Sequence, residues 1–241
     1  MLFFLRRPGD FIPSPLKLNS IHQIIMGHIL SERERSLLKE RIAETEKQTG
    51  AQIVLATVRR CDSYAEIPWM AFAVGVSLAG LLILLLDIFV LGWLTRMLIQ
   101  FTVVLILAAG ILFALLSLVW PGFARLFLSE IRKEMETRQY AESLFLSHEL
   151  FSTEGHRGIL LLVSQFERQV VILPDKGVRD LLGEEKLKDI ISKMTAPLRQ
   201  KDMGKALETG LGSICEALDS PEPSGPLPNE LSDEIIEEEG I

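Results

Sequence analysis

The chain has 241 residues, 24% of them charged, and 25 Lys and Arg stand against 32 Asp and Glu for a net charge of −7. No basic surplus exists to displace counterions from a polyanion, which excludes nucleic-acid binding as the main task. The two cysteines, Cys61 and Cys215, lie far apart, which excludes a disulfide-rich secreted module and a Cys-x-x-Cys zinc site; in a reducing compartment they read as ordinary thiols.

A mean hydropathy of +0.28 is high for so charged a chain, so apolar residues must be concentrated somewhere. In chain order, residues 1–26 read as a flexible N-terminal extension. The run MLFFLRRPGD has too short an apolar stretch for a cleavable signal, and Met26 offers an alternative start. Ser31-Glu32-Arg33-Glu34 then has the form of a capping box. Leu37, Leu38, Ile42 and Thr45 follow at helical spacing, and Gly50 reads as the stop. Gln52 to Val58 is a mostly apolar, β-branched run, a strand buried on both faces, ending at Arg59-Arg60. Residues 27–67 therefore form the first part of a soluble domain.

From Pro68 to Leu86, and again from Met97 to Ala124, no charged residue occurs. About 20 apolar residues suffice for a helix to cross a bilayer, so 68–124 reads as a two-helix transmembrane hairpin. Trp69, Trp93 and Trp120 fall near the ends of the spans, where indole rings anchor at the headgroup level. Asp87 and Arg96 lie at the helix ends and can reach water there, which makes the pair an anchor and not a pore. Arg59, Arg60, Arg125, Arg132, Lys133 and Arg138 flank the spans on one side, against Arg96 alone at the tip. The positive-inside bias then places both termini in the cytoplasm and the hairpin in the inner (plasma) membrane.

Residues 125–218 read as the second part of the soluble domain. A helix covers 123–151, with its mixed charges forming local ion pairs. Gly158–Ser164 and Gln169–Leu173 are two strands joined as a hairpin, and Pro174-Asp175-Lys176-Gly177 is a turn with Gly177 at positive φ. Helices follow over 184–194 and 202–218, the latter with Met203, Leu207, Leu211, Ile214 and Leu218 as one apolar stripe. An isolated strand is not stable, so 52–58 must share a sheet with the strands beyond the hairpin. Residues 219–241 carry eight acidic residues, four prolines and no basic residue, the composition of a disordered tail. Its sharper reading is a docking peptide built on Leu231, Ile235 and Ile236.

These pieces resemble the TPM domain family. The stretches LSERERSLLKERIAETEKQTGAQIVLATV, AESLFLSHELFSTEGHRGILLLVSQFERQVVILPDKGV and RQKDMGKALETGLGSICEAL carry the likeness over about 27–218, and Thr153 to Val178 is its most specific part. They are similar above all to the bacterial membrane-protein branch, in which two spans interrupt the domain. The resemblance implies an α/β sandwich with a mixed central sheet flanked by helices. It implies acid phosphatase activity, calcium binding by acidic loop residues, or an accessory role for a membrane complex. Where many relatives have Gly-x-Gly-Leu after the third strand, this chain has Asp175-Lys176-Gly177-Val178, and where they have an Asp after the next Leu it has Glu184. Both departures weigh against metal binding and phosphatase chemistry.

The candidate metal-binding set is Asp175, Asp180, Glu184 and Asp62, expected together at one end of the sheet, where open α/β sheets hold ligands. Four carboxylates there would take a hard cation, Ca²⁺ or Mg²⁺. Against this, the same residues serve as turn formers and as helix N-terminal charges. An aspartyl-phosphate route through Asp175 and Lys176 has no Gly-rich phosphate loop beside it, and the catalytic residues stay unassigned. The histidines are scattered, with no paired spacing. The reading is a non-catalytic accessory protein without a cofactor, whose partners are the lipid bilayer and another protein; the alternative is a weak metal-assisted acid phosphatase.

Overall fold

The computed structural model describes residues 29–91, 96–200, 202–218 and 235–240. The N-terminal extension, Trp93 and most of the acidic tail therefore lie outside the described residues. The first helix, α1 (Glu32–Thr49), starts on the expected capping box, with the Ser31 hydroxyl accepting from the Glu34 N–H while the Glu34 carboxylate accepts from the Ser31 N–H. It stops at Gly50, which takes the left-handed conformation at φ 66°. Strand β1 (Gln52–Arg60) follows, then helix α2 (Glu66–Leu86), a π-helical turn over Asp87–Leu91, and helix α3 (Arg96–Val119). A short helix α4 (Pro121–Ala124) leads to α5 (Glu130–Ser147), β2 (Gly158–Ser164), β3 (Gln169–Pro174), α6 (Lys176–Arg199), α7 (Met203–Leu218) and β4 (Ile236–Gly240).

The four strands form one mixed sheet in the order β3-β2-β1-β4. β1 pairs with β2 in parallel from Gln52↔Gly158 to Val58↔Ser164, so the segments before and after the apolar helices do build one sheet. β2 and β3 pair antiparallel, as the short gap between them requires. Successive side chains point to opposite faces of the sheet, and both faces of β1 and β2 are covered. Ile53, Leu55, Ile159, Leu161 and Ile172 pack on one face under α1, α6 and α7. Val54, Ala56, Val58, Leu160 and Leu162 face α5 on the other. The result is the expected α/β sandwich, with β1 buried on both sides.

Helices α2 and α3 pack against each other and stand clear of the sandwich. The spans Glu66–Phe89 and Ile99–Val119 are long and apolar enough to cross a membrane, and only 6% and 11% of their most apolar windows are buried. A helix at the heart of a soluble core would be covered by protein; these expose Leu81, Leu82, Phe101, Val104 and Leu112.

Two expectations need correction. Within the tail expected to be disordered, residues 236–240 instead form β4, which adds in parallel to the free edge of β1 from Ala56↔Ile236 to Arg60↔Gly240, while 219–234 lie outside the described residues. Composition misleads here because the prolines all precede Asn229, and the acids of β4 each meet a partner. Arg35 pairs with Glu237 at 2.8 Å, Arg59 with Glu239 at 3.5 Å, and the Tyr140 hydroxyl donates to Glu238. Ile235 is 3% exposed in the core under α1. Ending the chain after Glu234 should therefore lower unfolding stability by roughly 2–3 kcal/mol, the value of one buried isoleucine and the lost edge pairing. An unchanged thermal midpoint of the shortened chain would show that β4 adds nothing. The second correction concerns the turn expected at 174–177 and the helix expected only from 184. α6 begins at Lys176, with Gly183 at φ 61° and ψ 161° as an internal break, and it runs through Pro197.

Candidate functional site

The four candidate carboxylates do not meet. β3 runs antiparallel to β2, so it delivers Asp175 to the sheet end where Ile159 pairs with Pro174. Asp62 follows β1 at the other end, more than about 20 Å away at roughly 3.3 Å per strand residue. Asp175 caps α6: one carboxylate oxygen accepts from the Lys176 N–H at 2.7 Å, and the other lies 3.1 Å from Nδ1 of His156. Asp180 and Glu184 are exposed on α6, and Glu184 lies 4.0 Å from the Lys188 ammonium. Asp62 lies 3.5 Å from Arg132, which also pairs with Glu66 at 2.9 Å. No three His, Cys, Asp or Glu side chains are gathered into a metal-holding group among the described residues.

The polar chemistry concentrates instead where β1 and β2 end, next to the base of the apolar hairpin. The turn Gln165–Arg168 joins β2 to β3, with Arg168 in the left-handed region at φ 56°. Its Glu167 is only 2% exposed. A buried carboxylate needs donors, and Glu167 has three. One oxygen accepts from the Cys61 N–H at 3.0 Å and the Tyr64 hydroxyl at 2.7 Å, and the other accepts from the Ser164 hydroxyl. The carboxylate thus joins the end of β1, the segment leading into α2, and the end of β2. Tyr64 itself sits at φ 46°, unusual for a bulky residue, just before α2 begins. Its ring lies 5.6 Å from that of Phe166 and packs with Ile67, Ala124 and Leu128 in a small core of its own.

This network holds no activated nucleophile. Burial, and then the Glu167 charge, push the Cys61 thiol up to about 12, outweighing hydrogen bonds from Ser164 and Thr137. A thiol so placed stays protonated and inert at neutral pH. Burial and the hydrogen bond to Glu167 likewise raise the Tyr64 hydroxyl above its ordinary value.

The chain returning from the hairpin meets the same turn. Nε of Arg125 donates to the Phe166 carbonyl at 2.7 Å and its Nη2 to the Gln165 carbonyl at 3.3 Å. The turn is in turn held to β1, the Gln165 N–H donating to Val58 and the Phe166 N–H to Arg59, both at 2.9 Å. Both ends of the hairpin are therefore fastened to one turn, through Gln165, Phe166 and Glu167. Trp69 and Trp120 stand at this base, 74% and 60% exposed, and Trp93 lies outside the described residues.

Reading the sequence missed Glu167, Tyr64 and Arg125 as a unit. The available signal was a Phe-Glu-Arg turn without glycine or proline, whose acid sits three residues after a strand serine; this is a weak pattern among so many carboxylates.

Residues 126–217 match the family model described as the TPM domain. No curated protein matches the chain. Among solved structures, the NMR structure of the BA42 protein from the psychrophilic bacterium Bizionia argentinensis is similar, with a TM-score of 0.49 at 13% identity, covering 88% of this chain and 97% of that one. Through residues 126–217 this chain carries a TPM domain.

Proposed function

We propose that the chain is a membrane-anchored TPM domain that acts through protein contacts, as a non-catalytic accessory component of a membrane or envelope complex. The observation that carries this reading is the double fastening of the hairpin base. Tyr64 is held by Glu167 on one side, and Arg125 holds the Phe166 carbonyl on the other. An enzyme that draws on diffusible substrate gains little from a fixed pose over the bilayer. A surface that must meet a membrane partner gains a great deal, because rigid presentation lowers the entropy lost on association.

The anchor reading rests on the two exposed apolar helices. Pairing of β1 with β2 then requires both flanks on one side of the bilayer, which two spans supply. The positive-inside rule, applied to Arg59, Arg60, Arg125, Arg132, Lys133 and Arg138, makes that side the cytoplasm and the membrane the inner (plasma) membrane. Trp69 and Trp120 then lie at the headgroup level.

Two measurements test the proposal. A reporter fused after Ile241 should be active in the cytoplasm and silent outside it. Purified full-length protein should not hydrolyse phosphate esters in the presence of Ca²⁺ or Mg²⁺. Cation-dependent turnover that disappears in Asp175→Ala would replace the accessory reading with a metal-assisted phosphatase.

A further inference from the structure

Beside the hairpin base opens a groove of about 560 Å³ whose walls include Arg59, Arg60, Arg125, Arg168 and Trp120. Collecting four guanidinium groups costs energy unless something negative lies among them. Glu239 balances Arg59 at 3.5 Å. Among the described residues, no carboxylate forms an ion pair with Arg60, Arg125 or Arg168.

The three are nevertheless drawn together. The guanidinium of Arg60 lies 4.5 Å from the centre of the Phe166 ring, and that of Arg125 lies 5.4 Å from the same centre. Burial, and then repulsion from Arg168, lower the Arg125 guanidinium from its ordinary value, against the weaker pull of the Glu167 carboxylate. Phe166 is buried, so the ring is a fixed platform that sets the spacing of two charges. Arg125 spends two N–H bonds on the turn, and a guanidinium has five to offer.

We propose that this groove binds the headgroup phosphate of an anionic phospholipid. Arginine forks suit phosphate oxygens, which accept paired N–H bonds. The location selects a lipid over a soluble phosphate. The groove adjoins Trp120 and Pro121 at the end of an apolar helix, the depth at which headgroups lie and at which basic side chains meet the negative surface of a leaflet. The inference rests on the membrane reading above and adds to it a preference among lipids.

The test uses the full-length protein in mild detergent, offered phosphatidylglycerol and phosphatidylcholine in equal amounts, with bound lipid counted by native mass spectrometry. Phosphatidylglycerol should be retained at least tenfold over phosphatidylcholine. Arg60→Gln and Arg168→Gln should each lose about fivefold of that preference, the equivalent of about 1 kcal/mol per basic side chain at an anionic surface. These two side chains make no hydrogen bond among the described residues, so the variants should fold, and Arg138→Gln, remote on α5, should behave as the parent. Equal retention of the two lipids, or an unchanged preference in both variants, would overturn the proposal. Displacement of the lipid by inorganic phosphate at millimolar concentration would overturn it in favour of a soluble anion. Alkaline extraction of membranes keeps the two readings apart: protein that stays in the bilayer without lipid preference fails this inference alone, whereas protein that leaves it fails the anchor reading.

Discussion

Replacing Glu167 with alanine is expected to cost about 3–5 kcal/mol, enough to unfold a domain of ordinary marginal stability. The size follows from what would be left behind. Glu167→Ala strands the Cys61 N–H, the Tyr64 hydroxyl and the Ser164 hydroxyl, three buried donors that now share one carboxylate. It also frees Tyr64 from the contact that holds it at φ 46°. Glu167→Gln should cost much less, about 1–2 kcal/mol, because its carbonyl oxygen can keep the two bonds on the Cys61 side while the Ser164 hydroxyl turns to accept. Chemical denaturation of the full chain in detergent, followed by the fluorescence of Trp69 and Trp120, would rank the variants. Equal stability of parent and alanine variant would show that the carboxylate is not the clamp described.

Gly177→Ala should lose about 3 kcal/mol or more, although alanine is the better helix former. Gly177 lies in the first turn of α6, and a Cβ there would stand 2.1 Å from the Gly155 carbonyl oxygen and 2.7 Å from that of His156. Both are backbone atoms of the 3₁₀ turn Glu154–His156, in which Gly155 and His156 have positive φ. The turn must open, and with it the cap that Asp175 makes. Gly212→Ala is the matching control, because a Cβ on that face of α7 would meet nothing within 4 Å. It should stabilise by roughly 0.5–1 kcal/mol. Opposite signs from one chemical change would separate steric exclusion from helix propensity; the same sign in both would refute the close approach.

Much of this architecture was open to a reader of the residues alone. An unbroken Gln-Ile-Val-Leu-Ala-Thr-Val run cannot be an edge strand exposed to water, and its own half supplied no neighbour, so pairing with Gly158–Ser164 followed. The capping box and Gly50 acted as expected. The candidate site fared worse, for a topological reason. The antiparallel β2–β3 pairing, itself readable from the short gap, carries Asp175 away from Asp62. Gly177 was expected at positive φ; it is a glycine because a neighbouring backbone leaves no room for a side chain, a cause no local pattern records. β4 was hidden by its setting, since five residues behind a proline-rich acidic stretch carry no strand signal until Arg35, Arg59 and Tyr140 are placed opposite them. Glu167 was hidden by its ordinariness. Nothing in a lone acid in a turn says that it will be sealed from water.

The parallel partnership of Gln52 with Gly158 has a consequence during synthesis. The two residues are 158 − 52 = 106 positions apart, so at about 5–20 residues per second the first strand waits roughly 5–20 seconds for its mate to leave the ribosome. Throughout that interval the two apolar helices are being made, and an unmatched apolar ribbon stays open to wrong company. Helix α1, finished beforehand, is the cover that the described residues offer the nascent ribbon until translation passes Ser164.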